Sequence, residues 1–376
     1  MQTSKLRSVT ASAALAGALL ALSGCDPAPE TGPTPSTEKS AAKSVACDRQ
    51  CLIGVANRYV AALAAHDPSK APMAPKVVFV ENAKKIEVGE GLWKTAVKAP
   101  AAFALTVPDE ATQSVGYLAM MTRMAPPAPP QGSTPEQREA AAKAAPTEQP
   151  VLVAFRLKVD EQGKIVEAEH LLAGMNPTRA EKGKPPTSFD NLQTLRPGLL
   201  TEIPADKRLP HDKLIAIGLS YYPALDDNNG DLAPFAPDCE RHENGMITAS
   251  ATPSAQAPAI PGVAPQPAVA RDCKGQISSG TFQYIDRIEN RRVFAADPVT
   301  GLVMGLSHFR HPMTNLPYKV KNRDGSTSER TKENMRFAPF DLPAAHIFKV
   351  GADGQIHEIE AMGFTAPYNA PTGWEP

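Results

Sequence analysis

Apolar residues recur at helical spacing in two stretches of the chain. Leu52, Val55, Tyr59 and Leu63 form one stripe, and Leu214, Ile217, Tyr221 and Leu225 form the other. Each stripe predicts an amphipathic helix with one buried face. Pro223 is expected to kink or thin the second helix near its end. Beyond each helix a proline-bounded turn leads to a short strand, over residues 77–82 and 239–244. A short helix carrying one large aromatic, Trp93 or Phe282, is expected next. The chain then turns strand-like, over 103–107 and 113–121 in the first half and over 283–294 and 302–309 in the second.

These two series of elements are copies of one unit. Leu52-Ile53 recurs as Leu214-Ile215, Tyr59 as Tyr221, Ala62-Leu63 as Ala224-Leu225 and Glu81-Asn82 as Glu243-Asn244, all at an offset of 162. Pro72-Met73-Ala74-Pro75 returns at the same offset as Pro234-Phe235-Ala236-Pro237. A closing hairpin with Lys158-Val159, Gly163, Ile165, Glu167 and Glu169 returns as Lys349-Val350, Gly354, Ile356, Glu358 and Glu360, now at an offset of 191. The offset grows where the second copy holds a proline-rich insertion. So long a period marks a duplicated domain rather than a solenoid. Helix, short strand and helix, then antiparallel strands closing on a glycine turn is an α+β order.

The phrases Tyr59-x-x-Ala62-Leu63, Pro72-x-Ala74-Pro75, Glu81-Asn82 and Gly354-x-Ile356-x-x-Ile359-Glu360 resemble the nuclear transport factor 2-like superfamily, called SnoaL-like in bacteria. The resemblance implies two tandem cone-shaped domains that form a pseudo-dimer. Each would be a long helix packed in a curved antiparallel sheet around an apolar pocket. Copy one is expected at 46–173 with a loop insertion at 125–150, a linker at 174–208, and copy two at 209–376 with a loop insertion at 249–272. Tyr59, Trp93, Tyr221, Phe282 and Tyr284 would line the pockets. Copy two also resembles an uncharacterised bacterial and fungal family. That likeness rests on Glu243-Asn244-Gly245, Arg291-Arg292, Asp297-Pro298, Phe309-x-His311-Pro312 and the tail from Pro367-Tyr368 to Gly373-Trp374. The superfamily hosts isomerases, cyclases, lyases, hydrolases and binding modules, so fold alone selects no activity.

The amino terminus bears on location. Lys5 and Arg7 precede an apolar and small-residue stretch, 9–22, that is short for a membrane span. Leu22-Ser23-Gly24-Cys25 then resembles the bacterial lipobox. It implies a signal peptide over 1–24 and lipid on Cys25 that anchors the protein in the bilayer. Residues 25–45 hold almost no large apolar side chain and read as a disordered tether. The expectation is a cell-envelope lipoprotein facing the periplasm, with inner or outer membrane left open. A net charge of −1 offers nucleic acid no electrostatic footprint. Many of the 38 prolines fall in two runs, 125–150 and 249–270, that read as solvated loops.

With Cys25 lipidated, Cys47, Cys51, Cys239 and Cys273 remain, an even number in an oxidising compartment. Three pairings are open. Cys239–Cys273 is favoured because it staples the base of the proline-rich loop. Cys47–Cys51 then follows, and needs an irregular first turn because an i,i+4 pair strains a regular helix. No histidine stands at ligand spacing from either pair, so neither a metal nor another cofactor is expected.

His308, His311 and His346 are the most distinctive chemical residues, since copy one has no histidine at their aligned positions; His346 meets Phe155. Histidine titrates near neutrality and is the readiest general base. His346 alternates with Phe348 and Val350, which places it on an inward face, and His308 shares a face with Met304 and Leu306. His308 or His346 is the candidate base, with Asp297 to orient it, and Glu243 is a candidate base or a hold for a ligand polar group. Asp297-Pro298 also reads as a plain turn start, and Glu243-Asn244-Gly245 as a turn. Asn244 and Arg291 are candidate ligand contacts. Arg287, Arg291 and Arg292 also read as an outer face paired with Asp286 and Glu289. Glu358 and Glu360, like Glu167 and Glu169, share a strand face; such paired carboxylates can do acid–base work, and the face also reads as solvated. The sequence contains no Gly-x-Ser-x-Gly, no phosphate-cradling glycine loop and no His-Glu-x-x-His. Two functions fit: an envelope protein binding a small apolar or aromatic molecule in a cone pocket, or a cofactor-independent acid–base isomerase, lyase or hydrolase with its site in copy two. A carboxylate within ~3 Å of a pocket histidine would favour the enzyme.

Overall fold

The computed structural model describes residues 47–127, 135–252 and 271–375. Cys25, the signal segment and the tether lie outside the described residues, as do 128–134 of the first insertion and 253–270 of the second. No described helix is long and apolar enough to cross a membrane.

The first half opens with helix α1 (Arg49–Ala64). Asp48 caps it by accepting the Cys51 N–H at 2.8 Å. The Cys47–Cys51 disulfide straddles this start, because Cys47 lies ahead of the cap. The i,i+4 pair is therefore met with Cys47 outside the helix and Cys51 in its first turn. There follow β1 (Met73–Glu81), β2 (Lys84–Lys85), α2 (Leu92–Thr95), β3 (Ala96–Lys98), β4 (Ala104–Asp109), β5 (Ser114–Ala125), α3 (Pro135–Lys143), β6 (Thr147–Val159) and β7 (Ile165–Gly174). The sheet order is β2-β1-β7-β6-β5-β3, with β4 also paired to β5, and β1 runs parallel to β7.

Next come α4 (Ser188–Asn191), α5 (Pro197–Leu200), α6 (His211–Asp226), β8 (Phe235–Glu243), β9 (Met246–Ala249) and α7 (Cys273–Ile277). The chain ends with β10 (Arg287–Asp297), β11 (Leu302–His311), β12 (Tyr318–Lys321), β13 (Thr327–Arg330), β14 (Phe340–Val350), β15 (Ile356–Gly363) and β16 (Ala366–Pro367). The second large sheet runs β10-β11-β14-β15-β8-β9, again with its first strand, β8, parallel to the closing strand β15. The series β2-β1-β7-β6-β5 thus matches β9-β8-β15-β14-β11, and both sheets are curved and unclosed. The Cys239–Cys273 disulfide ties β8 to α7. Helix α6 continues through Pro223 to Asp226.

Several expectations need correction. Phe282 lies beyond α7 and not on it, because Gly280 at φ 76° ends that segment and the Phe282 N–H turns to Asn228 Oδ1 at 3.0 Å. The first insertion is not all loop. β5 and β6 extend into it as far as the Ala125–Thr147 pair, and alanine-rich residues 135–143 form α3. The expected linker is also structural: Leu192 and Leu199 are buried in an apolar cluster between the sheets. From the same segment Arg196 donates to Glu358 at 2.5 Å and to Glu360 at 2.7 Å. Glu360 is therefore no solvated residue. It is 2 % exposed, and burial raises its pKa against the opposing pull of Arg196.

Strand alternation divides the core. On β6, Val151, Val153, Phe155 and Leu157 face α1. Leu152 and Ala154 point the other way and join Leu302, Met304, Leu306 and Ile347 between the two sheets. With both faces buried, the central strands can be apolar throughout, and every residue of β11 is buried. The halves also exchange residues from their helix starts. Arg49 of α1 pairs with Asp297 of the second sheet at 2.9 Å. His211, at the same place in α6, pairs with Asp109 of the first sheet at 2.7 Å.

Candidate ligand-binding cleft

The repeated Glu-Asn pairs sit where the parallel strands end. Asn82 and Asn244 both adopt φ 47°, a left-handed conformation that asparagine tolerates. Each continues the parallel ladder with its side chain. Asn82 Oδ1 accepts the Leu172 N–H at 2.7 Å, and Asn244 Oδ1 accepts the Gly363 N–H at 3.1 Å. Asn244 therefore borders the cleft described below with its amide already engaged by backbone.

The preceding glutamates have diverged. In the first half Glu81 accepts the Leu92 N–H at 2.9 Å and lies 3.2 Å from His170 Nδ1. The other ring nitrogen of His170 meets the Tyr59 hydroxyl at 2.8 Å. Trp93 and Phe155 pack edge-on around Tyr59, at ring separations of 5.2 and 5.4 Å. This interior is filled by rings, and neither Tyr59 nor Trp93 borders the cleft.

In the second half the same position is rebuilt around a cation. Phe79 of the first copy is replaced by Arg241, which is 4 % exposed. Its Nε donates to the Tyr221 hydroxyl at 2.9 Å, its Nη1 to Thr248 at 2.8 Å and its Nη2 to Glu243 at 2.9 Å. The guanidinium carbon lies 5.6 Å from the centre of the Phe282 ring. Tyr221 is fully buried and braces Arg241 without bordering the cleft. Glu243 is held by Arg241 and has no histidine partner among the described residues.

A cleft of about 780 Å³ opens beside Arg241. Phe282, Tyr284 and Phe340 supply aromatic walls, and Met175 and Phe189 of the intervening segment border it too. Tyr318 and Arg330, from the β12–β13 ribbon, border it together with Phe337, which is 53 % exposed. Arg241, Glu243, Phe282 and Tyr284 also border a niche of about 30 Å³, room for one water-sized group. His311 and His346 lie in that niche. His311 is sandwiched between Tyr284 and Phe340, at ring separations of 5.1 and 4.2 Å. His346 is packed among Tyr221, Tyr222 and Phe348. Burial lowers the His346 pKa to about 3, helped by the charge of Arg241, and lowers that of His311 to about 4. Both rings are neutral at pH 7. Their Nδ1 atoms are buried without a hydrogen-bond partner among the described residues, as are Gln276 Oε1 and the Tyr318 hydroxyl at the cleft wall.

Other expected site residues lie elsewhere. His308 points to the opposite face of β11, where it meets Asp341 at 3.5 Å and Arg310 at 3.4 Å, so it does not join His346. Asp297 orients no histidine of the cleft. Besides Arg49 it accepts from Thr300 Oγ1 at 2.7 Å, as a turn and interface residue. Arg291 pairs with Asp226 and donates to the Ile288 carbonyl at 2.7 Å, away from the cleft. Arg241 and His170 were both missed by the sequence reading. The signal for Arg241 was an arginine replacing Phe79 on the face shared with Cys239. The signal for His170 was an exchange across neighbouring strands: Phe155 pairs with His170 in the first sheet, and His346 with Ala361 in the second.

Residues 207–363, from just ahead of α6 to the end of β15, match the family model described as a domain of unknown function (DUF8021). The match takes in Arg241, Phe282, His311 and His346. No curated protein matches the chain.

Proposed function

We propose that the chain is a cell-envelope lipoprotein that binds a small apolar or aromatic molecule in the cleft of its second half. Both halves are read as nuclear transport factor 2-like units forming a pseudo-dimer, the first a packed partner and the second the binding unit. The observation that carries this reading is the cleft itself. Its volume of about 780 Å³ falls within the range of ligand pockets, and its apolar walls surround a few buried polar atoms with no partner among the described residues. The envelope location rests on the lipobox-like Leu22-Ser23-Gly24-Cys25. An acid–base enzyme would need an oriented base. Of the candidate bases, His346 has no carboxylate partner among the described residues, and His308, which has Asp341 at 3.5 Å, faces away from the cleft. Binding is therefore the better-supported function.

Native mass spectrometry of the full chain purified from its own membrane tests this. One small-molecule adduct per chain is expected, on top of the mass of the acyl groups on Cys25. A chain that carries no adduct and gains no thermal stability from apolar or aromatic compounds would overturn it.

A further inference from the structure

The charges bordering the cleft do not cancel. Arg241 and Arg330 are its two guanidinium groups and Glu243 is its one carboxylate, an excess of one positive charge among the described residues. Segment 253–270, outside the described residues, contains no charged side chain and cannot alter that count. Arginine stays protonated at any physiological pH. Arg330 is 5 % exposed; its Nη1 donates to Ser328 at 3.2 Å, and it has no carboxylate partner among the described residues. Arg241 has five N–H donors, of which Tyr221, Thr248 and Glu243 take three, which leaves two without a partner among the described residues. A buried cation without a counter-charge is costly, and a bound anion removes that cost.

Shape and chemistry fix the rest of the ligand. Phe282, Tyr284 and Phe340 offer ring faces. Gln276 Oε1 and the Tyr318 hydroxyl stand at the wall without a partner among the described residues. The histidines of the niche are neutral and add no charge. We propose that the cleft takes a monoanionic aromatic or alicyclic molecule, its carboxylate received by the free N–H groups of Arg241 and balanced by the excess charge of Arg330. This rests on the binding reading above and adds the charge of the ligand to it.

The test compares two compounds of one shape, 2-naphthoate and the neutral 2-naphthamide, titrated calorimetrically into the full chain. The carboxylate should bind at least about tenfold more tightly, or about 1.4 kcal/mol. Arg330→Gln should shrink that ratio, and Arg330→Lys, which keeps the charge, should preserve it. If Arg330→Gln fails to fold, the ratio in the unaltered chain still decides. Equal affinity for the two compounds, or a ratio unchanged in a folded Arg330→Gln, would overturn the anion inference and leave the binding reading standing. Binding of neither compound at millimolar concentration would overturn the anion inference, and with no adduct on the purified chain it would overturn the binding reading as well.

Discussion

His346 and Phe155 occupy one place in the repeat, yet only the histidine leaves a polar atom unpaired in a buried niche. An unpartnered buried polar group costs roughly 1–3 kcal/mol. His346→Phe, the first copy's own residue, should therefore leave the fold intact and raise its stability by about 1 kcal/mol in chemical denaturation. The substitution should also change the response to acid. His346 and His311 titrate near 3 and 4 in the fold and near 6.5 when unfolded. With depressed folded values, the unfolded chain takes up protons first as pH falls below about 6.5. Stability is thus intact above that pH and declines toward pH 4, by about 1.4 kcal/mol per pH unit for each ring. Between about pH 7.5 and about pH 5.5, His346→Phe should lose roughly 1 kcal/mol less than the unaltered chain. An identical loss would show that this ring does not titrate as the geometry requires. Alternation with Phe348 and Val350 was enough to place His346 inward. It could not place Arg241, because a charged residue on a short strand reads as surface until its partners Tyr221, Thr248 and Glu243 are known. Nor could it show that Asp297 serves the Arg49 contact, which joins residues far apart in the chain.

At the scale of elements, the two leading helices and the closing hairpins were legible because their apolar periods are strong and the chain states them twice. Boundaries moved where backbone pairing extended a strand past its apolar run. β1 begins at Met73 and β8 at Phe235, each before the predicted start, as the parallel ladder takes in the proline-bounded turn. The intervening segment looked like a linker because its short helices lack a repeating stripe. Leu192, Leu199 and Arg196 fix it through tertiary contacts instead. The Cys239–Cys273 disulfide joins β8 to α7 over a sequence separation of 34. On the chain-entropy account such a closure stabilises by about 4 kcal/mol. Cys239→Ser with Cys273→Ser should lower the denaturant midpoint accordingly and loosen the wall that presents Phe282, seen as weaker binding of 2-naphthoate. A double variant with unchanged stability would rule out that contribution.

At the scale of the molecule, the repeated halves are bound by reciprocal contacts that use the same position of each leading helix. Asp109 is fully buried and accepts from His211, from the Ala296 N–H at 2.9 Å and from the Thr112 N–H at 2.9 Å. Asp109→Ala would strand these donors, and a loss of about 2–4 kcal/mol is expected by calorimetry. Since Ala296 belongs to the second sheet, the variant should also split one thermal transition into two. A single transition at an unaltered midpoint would show that Asp109 does not couple the halves. With the apolar cluster between the sheets, these contacts hold two versions of one unit, one closed by Tyr59, Trp93 and His170 and one opened around Arg241. The most direct test of that division is a crystal structure of the full chain grown with 2-naphthoate. One molecule per chain is expected in the second half, its carboxylate within hydrogen-bond distance of Arg241 and its rings against Phe282 and Tyr284. A molecule seated among Tyr59, Trp93 and His170, or a cleft left vacant at saturating ligand, would contradict it.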